Sequence, residues 1–378
     1  MFHTTYISGN WQAMASGSAT NRPIAVDDLR AFCLAALAKA GVPEADARVT
    51  ADVLVTTDTW GVHTHGVKAL RGYVKRLRAG GLKAQARPTL VAEGPGWGIV
   101  DGDSGLGMVV SHFAMEAAIR KAEATGIAYV GVRNSCHFGA AGYYAAMAAE
   151  RGLIGLAMAN DAPSVTAPGA KGRVTGSNPF AYAVPTGDGG PILLDMATST
   201  VAGGKVVAAH AAGKPIPEGW VVDEEGLPTT DPAAFLRGCP LTPMAGHKGY
   251  GLALMIEAFA GVLTGAALTR NVLSWIADDP AKPTGHGGAF LAIDVAAMMP
   301  MAEFTRRVDG LCRELRDSPK AAGSDRVYLP GELEWERRRR ALAEGIVLPD
   351  DVLDYLAGLA EDLGIEPLRP ANPGASRS

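Results

Sequence analysis

Ile127-Ala128-Tyr129-Val130-Gly131-Val132 runs almost directly into Asn134-Ser135-Cys136-His137-Phe138-Gly139, and an alanine-rich stretch from Ala141 to Ala149 follows. The first six residues are β-branched, aromatic or small, the pattern of a buried strand; Gly139 breaks it, and the alanines favour helix. A second apolar run comes next, Leu153-Ile154-Gly155-Leu156-Ala157-Met158. Strand, helix and strand at this spacing predict an α/β domain. Working outward, a helix through Met108, Phe113, Ala117 and Ile119 precedes the first strand. Further strands are expected at Phe180 to Val184, Ile192 to Leu194 and Phe290 to Ile293, with a long apolar helix from Gly249 to Leu263.

The flanks have a different texture. Leu29, Phe32, Ala36, Leu37 and Ala40 recur at helical spacing behind Asp27-Asp28; Pro43 opens a second helix; Val67, Leu70, Val74 and Leu77 line a third that Gly80-Gly81 closes. After Met299 the pattern is helical again to about Leu363, so the end is expected to pack against the beginning. Six prolines between Ala212 and Gly246 mark a cover loop or small subdomain. The expected organisation is a helical domain made of 22–95 and 301–365, an α/β domain over 96–300 with a cover excursion at 212–246, and flexible ends at 1–21 and 371–378.

A length of 378 residues with 48% hydrophobic and 20% charged side chains leaves room for two or three globular domains. The net charge of −4 provides no basic stripe for nucleic acid, and Arg337-Arg338-Arg339-Arg340 follows Glu332, Glu334 and Glu336 at salt-bridging helical spacing. Cys33, Cys136, Cys239 and Cys312 form no CxxC pair, which fits a reducing compartment. No apolar run approaches the roughly 20 residues that cross a bilayer, and the first twenty residues lack a secretory pattern. A cytoplasmic protein with no membrane or nucleic-acid partner is expected.

Four short segments carry chemistry. His137 stands at the carboxyl end of a strand, facing a helix N-terminus, where α/β proteins place reactive groups; a satisfied loop histidine is the plain alternative. In His63-Thr64-His65-Gly66, an HxH pair suits a metal, so a metal-dependent hydrolase using His63 and His65 is one reading. If a helix begins near Gly66, then His65, Lys68, Ala69 and Tyr73 share one face and wall a polar pocket; surface histidines are the bland reading. Gly246-His247-Lys248-Gly249-Tyr250-Gly251 opens a helix with a lysine among glycines, which suits an anion, or is an ordinary turn. Asp195, at a strand terminus before Met196-Ala197-Thr198-Ser199, is an acid next to hydroxyls able to cap a helix. No GxGxxG follows a strand, and Gly102-Asp103-Ser104-Gly105-Leu106-Gly107 fails its spacing.

In their order, Gly61-Val62-His63-Thr64-His65-Gly66, Asn134 to Gly139, Gly176-Ser177-Asn178-Pro179, Asp195 to Ser199, Gly203-Gly204-Lys205, Pro215 to Trp220, Gly246 to Gly251 and Leu329-Pro330-Gly331-Glu332 resemble the malate/L-lactate dehydrogenase family. That family includes ureidoglycolate and sulfolactate dehydrogenases, 2,3-diketogulonate reductase and piperideine-carboxylate reductase. The resemblance covers roughly 25 to 350. It implies an α/β fold with a non-Rossmann nicotinamide-binding domain on a mixed sheet, plus a helical domain from the N- and C-terminal segments. It implies a homodimer, NAD or NADP as cofactor, no metal, and hydride transfer to or from a small 2-oxo/2-hydroxy acid or related imino acid. By the same resemblance His65 donates the proton and His137 sits at substrate and nicotinamide. Asn178, Asp195, Met196, Ala197, Thr198, His247, Lys248, Gly331 and Glu332 are then the cofactor-binding residues. A positioned imidazole suits a reaction that leaves negative charge on oxygen or nitrogen.

The chain departs from the family at three places. Thr64 replaces a serine before the proton-donating histidine, keeping the hydroxyl. Ala69 replaces an arginine expected to anchor the substrate carboxylate; Lys68 is expected to substitute for it, with Arg71 next in line and Tyr73 on the same pocket wall. Asp161 lies close to where the ureidoglycolate branch has a lysine. A catalytically idle binding protein of the same fold is the remaining alternative.

Overall fold

The computed structural model describes residues 23–187 and 189–368, so the ends expected to be flexible, 1–21 and 371–378, lie outside it. Three helices open the chain: α1 (Val26–Lys39), α2 (Glu44–Thr59) and α3 (Leu70–Ala79). Then come β1 (Thr89–Gly94), β2 (Trp97–Asp101), α4 (Gly107–Thr125), β3 (Ile127–Ser135), α5 (Ala141–Ala149), β4 (Leu153–Ala159), β5 (Phe180–Val184) and β6 (Ile192–Met196). The excursion holds α6 (Gly203–Ala211), β7 (Val221–Val222), β8 (Pro228–Thr229) and α7 (Ala233–Leu236). The chain continues through α8 (His247–Ile256) and β9 (His286–Asp294) to α9 (Met301–Arg316), α10 (Glu332–Glu344) and α11 (Asp350–Leu363).

The large sheet is mixed, in the order β1-β2-β3-β9-β4-β5-β6, and β2 with β3 is its parallel pair. β9 lies antiparallel to both neighbours, with Val130 and Ala157 flanking Phe290 in register. Phe290 is fully buried, and Tyr144 and Phe138 meet its ring edge-on. α5 lies close to the sheet because its contact face is small: a Cβ on Gly155 of β4 would sit 2.4 Å from the Ala145 carbonyl oxygen. This is why alanines, rather than larger apolar residues, fill that helix.

The helical ends and the sheet share one core, from Leu29 through Phe290 to Leu356, in place of a separate core for a helical domain. Ile24 pairs with Ile346, and the Trp335 indole on α10 donates to the Pro191 carbonyl at 2.7 Å, fastening the returning segment to the β6 edge. The excursion begins earlier than 212, at α6, and has its own small core of Val206, Ile216, Val221, Ala234 and Leu241 with Val165. Two helix boundaries also differ from expectation. The third helix starts at Leu70 after a single 3-10 turn, Val67–Ala69, and the long apolar helix ends at Ile256, continuing as a wide π turn, Glu257–Val262.

Gly155→Val should destabilise the protein by about 1–3 kcal/mol, because the added atoms meet backbone that cannot yield cheaply. Chemical denaturation measures this, and an unchanged midpoint would show that α5 is not held against β4 as described.

Candidate active site

Three neighbouring strands deliver three side chains to one end of the sheet. Ser135 at the end of β3 is opposite His286 at the start of β9, and Ala159 at the end of β4 is opposite Gly288. His137 and Asp161 each lie two residues beyond those strand ends. With strands about 4.8 Å apart, the ends of β3 and β4 are roughly 10 Å apart, with His286 between them. The buried His286 ring bridges Thr284 Oγ1 (2.9 Å) and Asp161 Oδ1 (3.1 Å), and Thr284 in turn donates to the Ser135 carbonyl.

His65 reaches the same place from the turn between α2 and α3. A fully buried carboxylate, Asp58, shapes that turn: Oδ1 takes the His63 ring at 2.7 Å and Oδ2 accepts the Val67 N–H at 2.7 Å. Burial raises the Asp58 carboxyl, and these two bonds oppose the shift. Gly66 is required beside it, since a Cβ there would fall 2.3 Å from the carboxylate. His63 is thereby turned to Asp58, and no group of three potential metal ligands occurs among the described residues, so the geometry does not carry the hydrolase reading.

The His65 and His137 rings are 5.5 Å apart. Trp275 stacks on His137 at 4.4 Å and on Tyr73 at 5.0 Å. Arg76 holds the loop bearing Trp275. Its buried guanidinium donates to five backbone carbonyls, those of Ser274, Trp275, Asp278, Asp279 and Lys282.

Burial, and then the charge of His65, depress the His137 imidazole to about 3, while Asp161 opposes them. Burial keeps the Tyr73 phenol far from ionising, and its hydroxyl is hydrogen-bonded to Nδ1 of a neutral His137 at 2.6 Å. His65 Nδ1 is paired with Thr64 Oγ1 at 2.9 Å. Burial lowers His65 as well, and the Asp161 charge pulls it back. Neither Nε2 has a hydrogen-bonding partner among the described residues, so each ring keeps one nitrogen for a ligand.

Other expected site residues are placed differently. Lys68 does not stand in for an arginine: its ammonium pairs with Asp351 and lies 5.5 Å from the Tyr355 ring centre, both on α11. Arg71 pairs with Asp362 on the same helix at 2.8 Å. Arg71, two residues before Tyr73 on α3, projects from the opposite side of that helix, and Lys68 lies in the 3-10 turn before it. Ala69 is buried. Asn178 is fully buried and spends its amide on the Ala253 carbonyl, Glu257 and the Asp161 N–H, so it positions Asp161 instead of facing a cofactor. Thr198 likewise gives its hydroxyl to the Ser177 carbonyl.

Asp195 accepts the Gly142 N–H of α5 at 2.8 Å. It remains exposed to solvent. Met196 and Ala197 are half-buried beyond it, and His247 and Lys248 are exposed. Met244 N–H bonds to the Thr198 carbonyl, so the Asp195 and Lys248 segments form one surface. Gly331, at φ +91°, packs on Leu193, and Glu332 pairs with Arg316 while accepting the Leu329 N–H. The sequence carries no motif at His286, Trp275, Arg76 or Asp58; the first three act through contacts distant in the chain, and Asp58 acts locally on His63 and Val67.

A sequence model of the malate/L-lactate dehydrogenase family matches residues 24–357. The malate dehydrogenase of Pyrococcus horikoshii is 40% identical over 354 residues, covering 90% of this chain and 96% of the relative. The L-sulfolactate dehydrogenase of Methanocaldococcus jannaschii is 39% identical, covering 87% and 94%. The solved Pyrococcus horikoshii structure superposes with a TM-score of 0.84 at 37% identity, covering 93% of this chain and 99% of that one.

The depressed His137 has a consequence for stability. Unfolded, the ring protonates near pH 6.5; folded, it resists down to about 3, so the unfolded state takes up the extra proton between those values. Stability is therefore unaffected above about pH 6.5 and falls as pH drops, by at most ~1.4 kcal/mol per pH unit from this residue. Denaturant midpoints of wild type and His137→Gln between pH 7 and 5 should show a shallower fall in the variant; parallel curves would refute the assignment.

Proposed function

Because the chain belongs to the malate/L-lactate dehydrogenase family, we propose that His65 is the proton carrier in hydride transfer between NAD(P)H and a small 2-oxo/2-hydroxy acid or related imino acid. The observation that carries this reading is the His65 and His137 pair, two adjacent imidazoles that each keep Nε2 for a ligand. Reduction leaves negative charge on the substrate oxygen, and His65 supplies the proton there; in oxidation the neutral ring takes it back. Thr64 orients His65, and the Tyr73 hydroxyl holds His137 through Nδ1, leaving Nε2 for the developing charge. Trp275 covers His137 and excludes water from that side.

The surface from Asp195 to Lys248 has the donor set for a dinucleotide. Lys248 and His247 lie at a helix start with no side-chain cap, beside Gly246 and Gly251, where an added Cβ would meet only open space, so a diphosphate can approach closely. Asp195 offers an acceptor for amide or hydroxyl hydrogens near the Met196-Ala197 backbone, and Gly331 and Glu332 sit behind that strand. The nicotinamide, as NAD or NADP, supplies the hydride chemistry when bound. Leu254, Phe259, Val262 and Leu263, all exposed along α8 and the π turn, support a homodimer joined through that apolar face. Four free cysteines support a cytoplasmic setting, and no helix among the described residues is long and apolar enough to cross a membrane.

The direct test is a panel of 2-oxo acids assayed by NADH and NADPH absorbance; no turnover with either cofactor would reject the reading. His65→Ala should lower kcat by about a hundred- to ten-thousand-fold while NAD(P)H fluorescence titration shows retained binding. Near-normal turnover would remove His65 from the mechanism. Lys248→Ala should raise KM for the cofactor more than it lowers kcat. Unchanged cofactor affinity in that variant would place the diphosphate elsewhere.

A further inference from the structure

Asp161 is held more firmly than a loop carboxylate needs to be. Its N–H donates to Asn178 Oδ1 at 3.1 Å, and Asn178 is anchored to the buried Glu257. Its Oδ1 is saturated by the Ala162 N–H at 2.8 Å and by His286 at 3.1 Å. Its Oδ2 has only the Ser177 hydroxyl, at a long 3.4 Å, and 27% of the side chain is open. Burial alone would raise this carboxyl, but the hydrogen bond from His286 brings it below its ordinary value, so it is an acceptor without a proton to give. Asp161 follows β4 and His137 follows β3, so the two leave the same sheet end on either side of β9, roughly 10 Å apart at the strand ends. The basic side chains nearest in sequence to His65, Lys68 and Arg71, are tied to α11, and Arg76 is consumed by backbone carbonyls. The side of the sheet end away from His137 thus offers an acceptor oxygen, and among the described residues no arginine or lysine is a partner of Asp161.

We propose that Asp161 is a specificity-determining residue that accepts a hydrogen bond from the end of the substrate remote from its 2-oxo carboxylate. The favoured class is 2-oxo or 2-hydroxy acids whose far end is an N–H or O–H donor, and a second carboxylate or sulfonate there is disfavoured. This deepens the dehydrogenase reading above and rests on it. The physical reason is that a preorganised carboxylate oxygen with a vacant lone pair rewards a donor and repels another acceptor, so one residue supplies both attraction and exclusion.

Oxaloacetate and its monoamide, 2-oxosuccinamate, have nearly the same shape and differ in having an acceptor or a donor at the far end. Wild type should favour the monoamide in kcat/KM by about 10- to 100-fold. Asp161→Asn should bring the two within a few-fold, and Asp161→Lys should reverse the order. Retained NAD(P)H binding identifies folded variants. A wild type that prefers oxaloacetate, or a ratio unmoved in Asp161→Asn, overturns the proposal. Calorimetric binding of succinamate against succinate reads the same preference without turnover. If neither oxo acid reacts, that counts against the dehydrogenase reading, while the binding ratio still decides the role of Asp161.

Discussion

β9 is the strand on which the rest of the structure depends. It is laid antiparallel between β3 and β4 and satisfies the inner edges of both, so seven strands become one sheet. More than a hundred residues separate it from β4, and closing so long a loop costs entropy that only extensive pairing and burial repay. Phe290, fully buried at its centre, contributes much of that burial. The direction of insertion matters as much as the pairing. Running opposite to β3 and β4, β9 places its first residue, His286, beside their last ones, so a single sheet end receives His137, His286 and Asp161.

Two buried charges near that end act as fasteners. Among the described residues Asp58 has no lysine or arginine against it, and Arg76 has no carboxylate. Asp58 is satisfied by one backbone N–H and a histidine ring, and Arg76 by five backbone carbonyls. Removing a charged side chain held in this way strands several polar groups at once, so such residues specify geometry more than they add stability. Asp58 fixes the turn that presents His65, and Arg76 fixes the loop that lays Trp275 over His137. The result is a constellation whose rotamers are locked from behind, which hydride and proton transfer at defined distances require.

The excursion contributes from the other side. Its separate core lets α6 lie over the His65 turn, where a Cβ on Gly204 would come within 3.5 Å of the Thr64 methyl group. The strand of Asp195 and the helix start of Lys248 are laced together by the Thr198 and Met244 backbones. The proposed dinucleotide surface and the candidate active site therefore meet near Asp195, whose hydrogen bond to Gly142 ties it to the helix that follows His137.

Much of this was legible in the residues themselves. Period-two and period-3.6 apolar patterns placed β3, α5, β4 and the flanking helices, because those periods report burial of a local face directly. The ordered motif blocks marked His65, His137, Asp195 and Lys248, since each belongs to a short segment with its own chemistry. The sequence could not show that Lys68 and Arg71 pair with Asp351 and Asp362, because those partners arrive on α11 from nearly three hundred residues away. Nor could it show His286, Trp275 or the orientation of Asp161. Local spacing determined which segments become strands and which histidines are candidates; tertiary structure decided what surrounds them, because many partners arrive from strands, helices and loops more than a hundred residues away.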